Sequence, residues 1–458
     1  MKYKLLWVSL FVVCIVVVFI FLEVKNTTSR NVVVSVDEII SPDKMLEDFE
    51  FVTESILSIH PDPLRNFEGD WEIEVNRIKE SLVHPLTIGE FLLRLQQFVS
   101  KVRDAHTLVT FGETAEIKLL PIFFEWMEEE LIVKRSYISD IHIGDRVEKI
   151  GDKEISVIKK ELGKFASAEN EFWSQQMVLQ FIMLETYLGF LNVVNDEQIS
   201  LMVSGQDGKS RVLEVDLYSR EQLLEILKSQ ESSSWYGWEI YEEEQVGYFF
   251  LNECTVSQEY EISVTEFFEG VAEANIDKII LDLRDNGGGD SRVMYPFLQH
   301  LPPRFIKQFA SVEVKFSEEA KIQRGYERDS GKERTAQSMH DNIRKEPTFN
   351  GDLFVLVNNG TFSSASMFAT ILHDNNLGEI MGEPTGGAPS AFGDLIVLDV
   401  PHSSLLLAVS HKEFLRPNEG SPNENTLHPN ILIEKTKEDI HTHQDKYLQR
   451  VLKIINNN

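Results

Sequence analysis

Apolar residues recur at Met45, Phe49, Val52, Ile56 and Ile59, three or four positions apart, and so share one face of a predicted helix. Ser41-Pro42 opens it as an N-cap followed by proline, and His60-Pro61-Asp62-Pro63 ends it. A second helix is predicted over residues 71–82. A third starts at the capping box Thr87-Ile88-Gly89-Glu90 and carries Phe91, Leu95, Phe98 and Val102 on one side. The pattern then changes. Residues 119–127 and 131–134 read as strands, residues 143–152 as turn, short strand, turn, and the apolar, aromatic residues 170–191 as helical. From residue 245 onward strand and helix patterns alternate, with strands at 246–251, 278–283 and 353–357 and a helix from Ser363. Such alternation predicts an α/β domain built on one main sheet. Residues 316–348 are dense in mixed charge and read as a solvated, helical excursion. An amphipathic helix over residues 438–455 closes the chain.

The chain has 458 residues, enough for two or three domains at roughly 150 residues each. Its net charge of −30 disfavours a nucleic-acid partner, which calls for a basic surface. The two cysteines, Cys14 and Cys254, exclude a disulfide framework and any zinc site built on several thiolates. Residues 5–22 form an uncharged apolar run behind Lys2 and Lys4. Its 18 residues would span about 27 Å, near the hydrocarbon thickness of a bilayer. Positive charge stays on the cytoplasmic side, so the expectation is a single-pass membrane anchor with the rest of the chain extracytoplasmic. The competing reading is a cleaved signal peptide; Leu22-Glu23-Val24-Lys25 offers no small-x-small cleavage site. The expected division is an anchor over 1–25, a tether over 26–40, a helical domain over 41–103, a β-rich middle region over 104–234, an α/β domain over 235–436 and a terminal helix over 437–458.

Three segments could carry chemistry. Asp282-Leu283-Arg284-Asp285-Asn286-Gly287-Gly288-Gly289-Asp290 follows a buried strand. Its glycines fit a phosphate loop, an oxyanion hole made of backbone amides, or a plain turn. In Asn358-Asn359-Gly360-Thr361-Phe362-Ser363-Ser364-Ala365 a strand gives way to a helix at the serines. Ser363 there is either a nucleophile at a helix N-terminus or an ordinary N-cap. Gly382-Glu383-Pro384-Thr385-Gly386-Gly387 is a third glycine-rich loop. Among the histidines, His373 lies about 15 Å along the same helix from Ser363 and cannot reach it. His106, in Arg103-Asp104-Ala105-His106-Thr107, stands level with His402 and His411 on residue physics alone.

Together and in this order, the three segments and Asp104-Ala105-His106-Thr107 resemble the C-terminal processing peptidase family, which includes tail-specific proteases and the tricorn core. The resemblance covers residues 41–435. It implies a crotonase-like α/β catalytic domain, preceded by a small helical domain and a degenerate PDZ-like β-rich segment near residues 143–155. It further implies a serine peptidase acting on a peptide or protein, with Ser363 as nucleophile, His106 as base, and the amides of Ser364 and of Gly287 or Gly288 as the oxyanion hole. It implies no metal or organic cofactor. The catalytic lysine of the tail-specific branch falls on Ala388, and no Lys or Arg occurs between Asp374 and His411, so the base role goes to His106. Tricorn-like members carry a serine where this chain has Ala105. The acidic partner implied by the resemblance is Glu424, with Glu413 and Glu419 competing. An inactive binding protein on the same fold is the alternative, since fold does not fix function; a non-peptidase acyl hydrolase is a third reading.

Overall fold

A computed structural model describes residues 35–457, apart from 113–114, 206, 230–233, 419, 422–424 and 441–444. The apolar run 5–22 therefore lies outside the described residues, as do Glu419 and Glu424. Among the described residues no helix is long and apolar enough to cross a membrane.

The N-terminal helices are Pro42–Ile59, Trp71–Ser81 and Ile88–Val99. The residues at helical spacing in the first, Met45 to Ile59, are all buried. Asp70 caps the second helix by accepting from the Ile73 amide. In the third, Thr87 Oγ1 accepts from the Glu90 amide at 3.1 Å and Glu90 Oε2 accepts from the Thr87 amide at 2.9 Å, the reciprocal bonds of a capping box. Val102, expected on that helix, lies in a 3-10 turn over Ser100–Val102, which ends on Arg103 in the left-handed region at φ 56°.

The β-rich segment holds an antiparallel sheet in the order Ser210–Asp216, Gln198–Ser204, Arg146–Ile150, Glu130–Ser136, Ile122–Met127. Pro121 divides the expected strand 119–127, because proline lacks the amide a ladder needs. Residues 170–191 fold as two helices, Glu171–Met183 and Glu185–Phe190, broken at extended Leu184.

The main sheet runs Tyr236–Tyr241, Val246–Leu251, Lys278–Asp282, Asp352–Val357, Glu379–Gly382, Ile431–Leu432. Its first pair is antiparallel and the rest are parallel. Helices Gln258–Glu273 and Ser363–Asp374 pack on one face. On the other face, Tyr447, Leu448, Val451 and Ile455 of helix Lys446–Asn457 bury Tyr248, Ile280 and Leu356. The terminal helix is shorter than expected, with a separate turn at Lys437–Ile440. Arg284 fixes its start by bonding Asp445 at 2.6 Å while it also holds Asp282.

A second, antiparallel sheet runs Lys332–Asp341, Phe305–Lys315, Leu406–Leu415, Ala391–Asp399. The charged stretch 316–348 is thus a short helix, Glu318–Arg324, and a mostly exposed edge strand rather than one helical excursion. Charge on both faces of an edge strand discourages further pairing and erases the period-two signal. One short strand, Leu108–Thr110, leaves the helical region and pairs with Leu406–Leu415, in register Leu406↔Thr110 and Ala408↔Leu108. This pairing delivers residues 104–107 to the α/β part. The whole is a mixed α/β fold with a leading helical part and a β-rich segment, as the sequence led us to expect.

Candidate active site

The site forms where the parallel strands Lys278–Asp282 and Asp352–Val357 end, the edge at which open α/β sheets bind ligands. Two loops leave there and lock together. Thr361 Oγ1 donates to Leu283 O at 2.8 Å, the Phe362 amide donates to Asn286 O at 2.9 Å, and Asn358 Nδ2 donates to Asp285 Oδ1 at 2.8 Å. Ser363 then begins helix Ser363–Asp374 at φ 50°, in the left-handed region. Such a conformation costs a non-glycine residue about 1–3 kcal/mol and is held by its surroundings. Ser363 does not cap the helix: the N-cap position is Phe362, without a side-chain cap bond.

Two of the glycine-rich loops close around this serine. A Cβ on Gly288, itself at φ 99°, would lie 2.6 Å from Ser363 Cβ and 2.9 Å from the Ser364 amide nitrogen. One on Gly387 would lie 2.5 Å from Ser366 Oγ and 3.0 Å from the Ser363 amide nitrogen. A turn alone does not require such approaches; here the absence of a side chain lets backbone meet backbone beside Ser363.

His106 Nε2 lies 3.1 Å from Ser363 Oγ across 257 residues of sequence. Its ring stacks on Phe362 at 4.7 Å, and Phe362 stacks on Trp173 at 3.7 Å with the rings 6° from parallel. Burial pushes the imidazole pKa below its ordinary value, against the pull of the Asp104 charge. Asp104 is fully buried. Its Oδ1 accepts the His106 amide at 3.0 Å, and its Oδ2 accepts Thr107 Oγ1 at 2.5 Å and Ser410 Oγ at 2.7 Å. His60 Nε2 faces the same Oδ2 at 3.3 Å. Burial works to raise the Asp104 pKa, but His60, His106 and Thr107 overcome it and hold the carboxylate well below its usual range.

The other expected residues are placed less evenly. The Ser364 hydroxyl donates to Gly289 O at 2.6 Å, so it does not compete as nucleophile in this arrangement. The Gly288 amide donates to Asn286 Oδ1 at 2.9 Å and is not free for an oxyanion in this conformation. Glu413 pairs with Arg65, Nη2 to Oε2 at 3.2 Å, and with Arg334, and so serves the second sheet. Of the two remaining acidic candidates, Glu424 and Glu419, nothing is described. Sequence reasoning gave no role to Asp104, although it stood in the quoted motif, and passed over His60, Glu169 and Trp173.

Glu169 brings one carboxyl oxygen within 4.8 Å of both an Asp104 oxygen and a His106 ring nitrogen, a donor set that could hold a metal ion. A cation there would compete with the hydrogen bonds Asp104 already accepts. Behind the glycine loop, Lys134 bonds Asp285 Oδ2 and Glu125 Oε2, both at 3.0 Å, and Lys435 bonds Glu125 Oε1 at 2.5 Å. Burial works to raise the Asp285 pKa, but Lys134 and Lys435 depress it well below the ordinary carboxylate range. This network ties the β-rich segment to the glycine loop.

Residues 245–433 match the family model described as "Peptidase family S41". No curated protein matches the chain by sequence at a significant level. Among solved structures, mature CPAF complexed with lactacystin is similar with a TM-score of 0.70 at 16% identity, over 91% of this chain and 99% of that one. Mature CPAF alone gives 0.68 at 15% identity, over 90% and 97%. At such identities the likeness is one of fold, and it spans the helical, β-rich and α/β parts together. The family match falls on the segment that holds the glycine loop and Ser363, and it bears out the resemblance to the C-terminal processing peptidases carried by the motifs: over residues 245–433 the chain is similar to the peptidases of family S41.

Proposed function

We propose that the protein is a membrane-anchored, extracytoplasmic peptidase that cleaves peptide bonds by Ser–His acyl transfer, with Ser363 as nucleophile and His106 as base. The 3.1 Å contact between Ser363 Oγ and His106 Nε2 carries this reading. As Oγ attacks the scissile carbonyl, its proton passes to Nε2. The depressed imidazole pKa keeps the ring neutral and able to accept at neutral pH. The carbonyl oxygen becomes an oxyanion facing the Ser364 amide, with Gly287 as the second donor; each donor is worth about 3 kcal/mol of barrier. Collapse breaks the C–N bond, and Nε2 returns its proton to the leaving amine. Water then attacks the acyl-enzyme, giving a proton to Nε2, and the ester bond to Oγ breaks as Oγ recovers that proton. Glu424, the acid suggested by resemblance, takes no step in this scheme.

Hydrolysis of a fluorogenic protein substrate by the full chain tests the chemistry. Ser363→Ala and His106→Ala should each abolish turnover and keep the wild-type Tm; turnover surviving in Ser363→Ala would overturn the assignment. The uncharged run 5–22 behind Lys2 and Lys4 supports the anchor. Protease added to intact cells should release a large soluble fragment, whereas a native N-terminus beginning beyond residue 22 would replace the anchor with a cleaved signal.

A further inference from the structure

Two loops meet beside Ser363, and one carboxyl group joins them. Asp285 stands at the start of the glycine loop with its backbone in the left-handed region at φ 57°, a conformation that its surroundings must hold. It exchanges two hydrogen bonds with Asn358, 73 residues away on the serine loop. The Asp285 amide donates to Asn358 Oδ1 and Asn358 Nδ2 donates to Asp285 Oδ1, both at 2.8 Å. Asn358 Oδ1 also accepts the Gly360 amide at 3.0 Å, and the Asn358 amide donates to Thr361 Oγ1 at 3.0 Å. The carboxyl is seated against Gly360, where a Cβ would lie 2.8 Å from Asp285 Oδ1. Ser363 follows shortly after in the same turn. The residue next to Asp285 in the other direction is Asn286, whose carbonyl accepts the Phe362 amide at 2.9 Å and whose Oδ1 accepts the Gly288 amide at 2.9 Å. Asp285 thus sits at the joint where the serine turn and the glycine loop are set against each other.

The second oxygen of this carboxyl is held from outside both loops. Lys134 Nζ reaches Asp285 Oδ2 at 3.0 Å from strand Glu130–Ser136 of the β-rich segment. The same ammonium bonds Glu125 Oε2 at 3.0 Å, and Lys435 takes the other Glu125 oxygen. A carboxyl gripped by one oxygen can still turn about its Cβ–Cγ bond. Gripped by both, with the ammonium on one side and Asn358 on the other, it has one orientation, and Asn358 inherits it.

We propose that Asp285 is a positioning residue for the nucleophile: held by Lys134 on one carboxyl oxygen and by Asn358 on the other, it fixes how the Ser363 turn lies against the glycine loop. The inference rests on the Ser363–His106 reading. Asp285 takes no proton in that scheme and acts through Asn358 and Gly360. The β-rich segment therefore contributes Lys134 to the alignment of a site whose chemistry lies on other elements.

Labelling of Ser363 by a fluorophosphonate reads this without knowledge of the natural substrate. Its dependence on probe concentration, measured on the full chain well below the Tm of every variant, separates the maximal rate of bond formation from probe binding. Asp285→Asn keeps an acceptor for Asn358 but turns a second donor, its amide NH2, toward the Lys134 ammonium. Lys134→Met removes that ammonium. Each should lower the maximal rate by about tenfold, less than the loss of about a hundredfold for a misplacement of about 1 Å, and leave the half-saturating probe concentration unchanged. The double variant should be no slower than the slower single one, because both act through one contact. Lys134→Arg keeps a cation within reach of Oδ2 and should restore most of the rate. Glu125→Gln is the control: it disturbs the same network and lowers Tm, but leaves Lys134 on Asp285, and should label close to wild type. Folded Asp285→Asn and Lys134→Met chains with the wild-type maximal rate overturn the proposal. So do losses that multiply in the double variant, or a Glu125→Gln chain slowed as much as Lys134→Met, because a role in packing alone follows Tm. Should Lys134→Met fail to fold, Asp285→Asn and Lys134→Arg decide. A wild-type chain that takes no label defeats the Ser363 reading and this inference with it, whereas a labelled wild type with unaffected variants defeats this inference alone.

Discussion

Replacing Gly288 by alanine should damage catalysis more than any other single methyl added to the glycine loop. Two separate penalties act. The backbone at φ 99° is a conformation that an L-residue enters at about 1–2 kcal/mol. The new Cβ would sit 2.6 Å from Ser363 Cβ and 2.9 Å from the Ser364 amide nitrogen, and neither neighbour is the flexible end of a side chain. Relief of such overpacking costs about 1–3 kcal/mol. The relief must move the serine turn, which breaks the 3.1 Å alignment with His106 Nε2. A misplacement of about 1 Å lowers rates by about a hundredfold. Gly325→Ala is the control: Gly325 also has positive φ, at 71°, but nothing lies within 4 Å of its would-be Cβ. Both variants should lower Tm modestly, and only Gly288→Ala should lose about two orders of magnitude in fluorophosphonate labelling rate and in protein hydrolysis. A Gly288→Ala chain with wild-type rates and Tm would refute the argument that the loop is shaped to meet Ser363.

Lys134→Met should lower stability by about 2 kcal/mol in chemical denaturation, because it leaves the Asp285 and Glu125 carboxylates short of a cation in a partly buried network. The depressed Asp285 pKa adds a pH signature: its contribution is present above the unfolded carboxylate value and is lost as acid carries the protein toward the lower folded value, so the variant should differ least from wild type in strong acid. Ser364→Ala should stay within about tenfold of wild-type kcat/KM, since it removes the bond to Gly289 O and keeps the backbone amide. The acid limb of kcat/KM should have its midpoint below the ordinary histidine value, because burial disfavours the charged ring and activity is lost as His106 protonates; a midpoint above 7 would contradict this.

Much of this was legible before the structure. Helical spacing from Met45 to Ile59 marked a buried face, and the capping box at Thr87 fixed a helix start, because both signals are local. The serine turn was legible as a strand-to-helix junction, but what sets it apart from an ordinary N-cap is tertiary: the approach of Gly288, Gly387 and His106 to Ser363. His106 was chosen through family resemblance, since nothing local says that strand Leu108–Thr110 will pair with Leu406–Leu415. Glu169 left no trace. It precedes a helix as one acid among 74 acidic residues, and its meaning comes from Asp104 lying 65 residues earlier. The edge strand Lys332–Asp341 was misread as helical because a strand exposed on both faces carries no hydrophobic period.

The most direct test of the central claim is to react the full chain with a fluorophosphonate and locate the adduct by peptide mass mapping. The account predicts one adduct, on Ser363, formed at a rate that collapses in His106→Ala while Tm holds. An adduct on Ser364 or elsewhere, or labelling of Ser363 that is indifferent to His106, would contradict it.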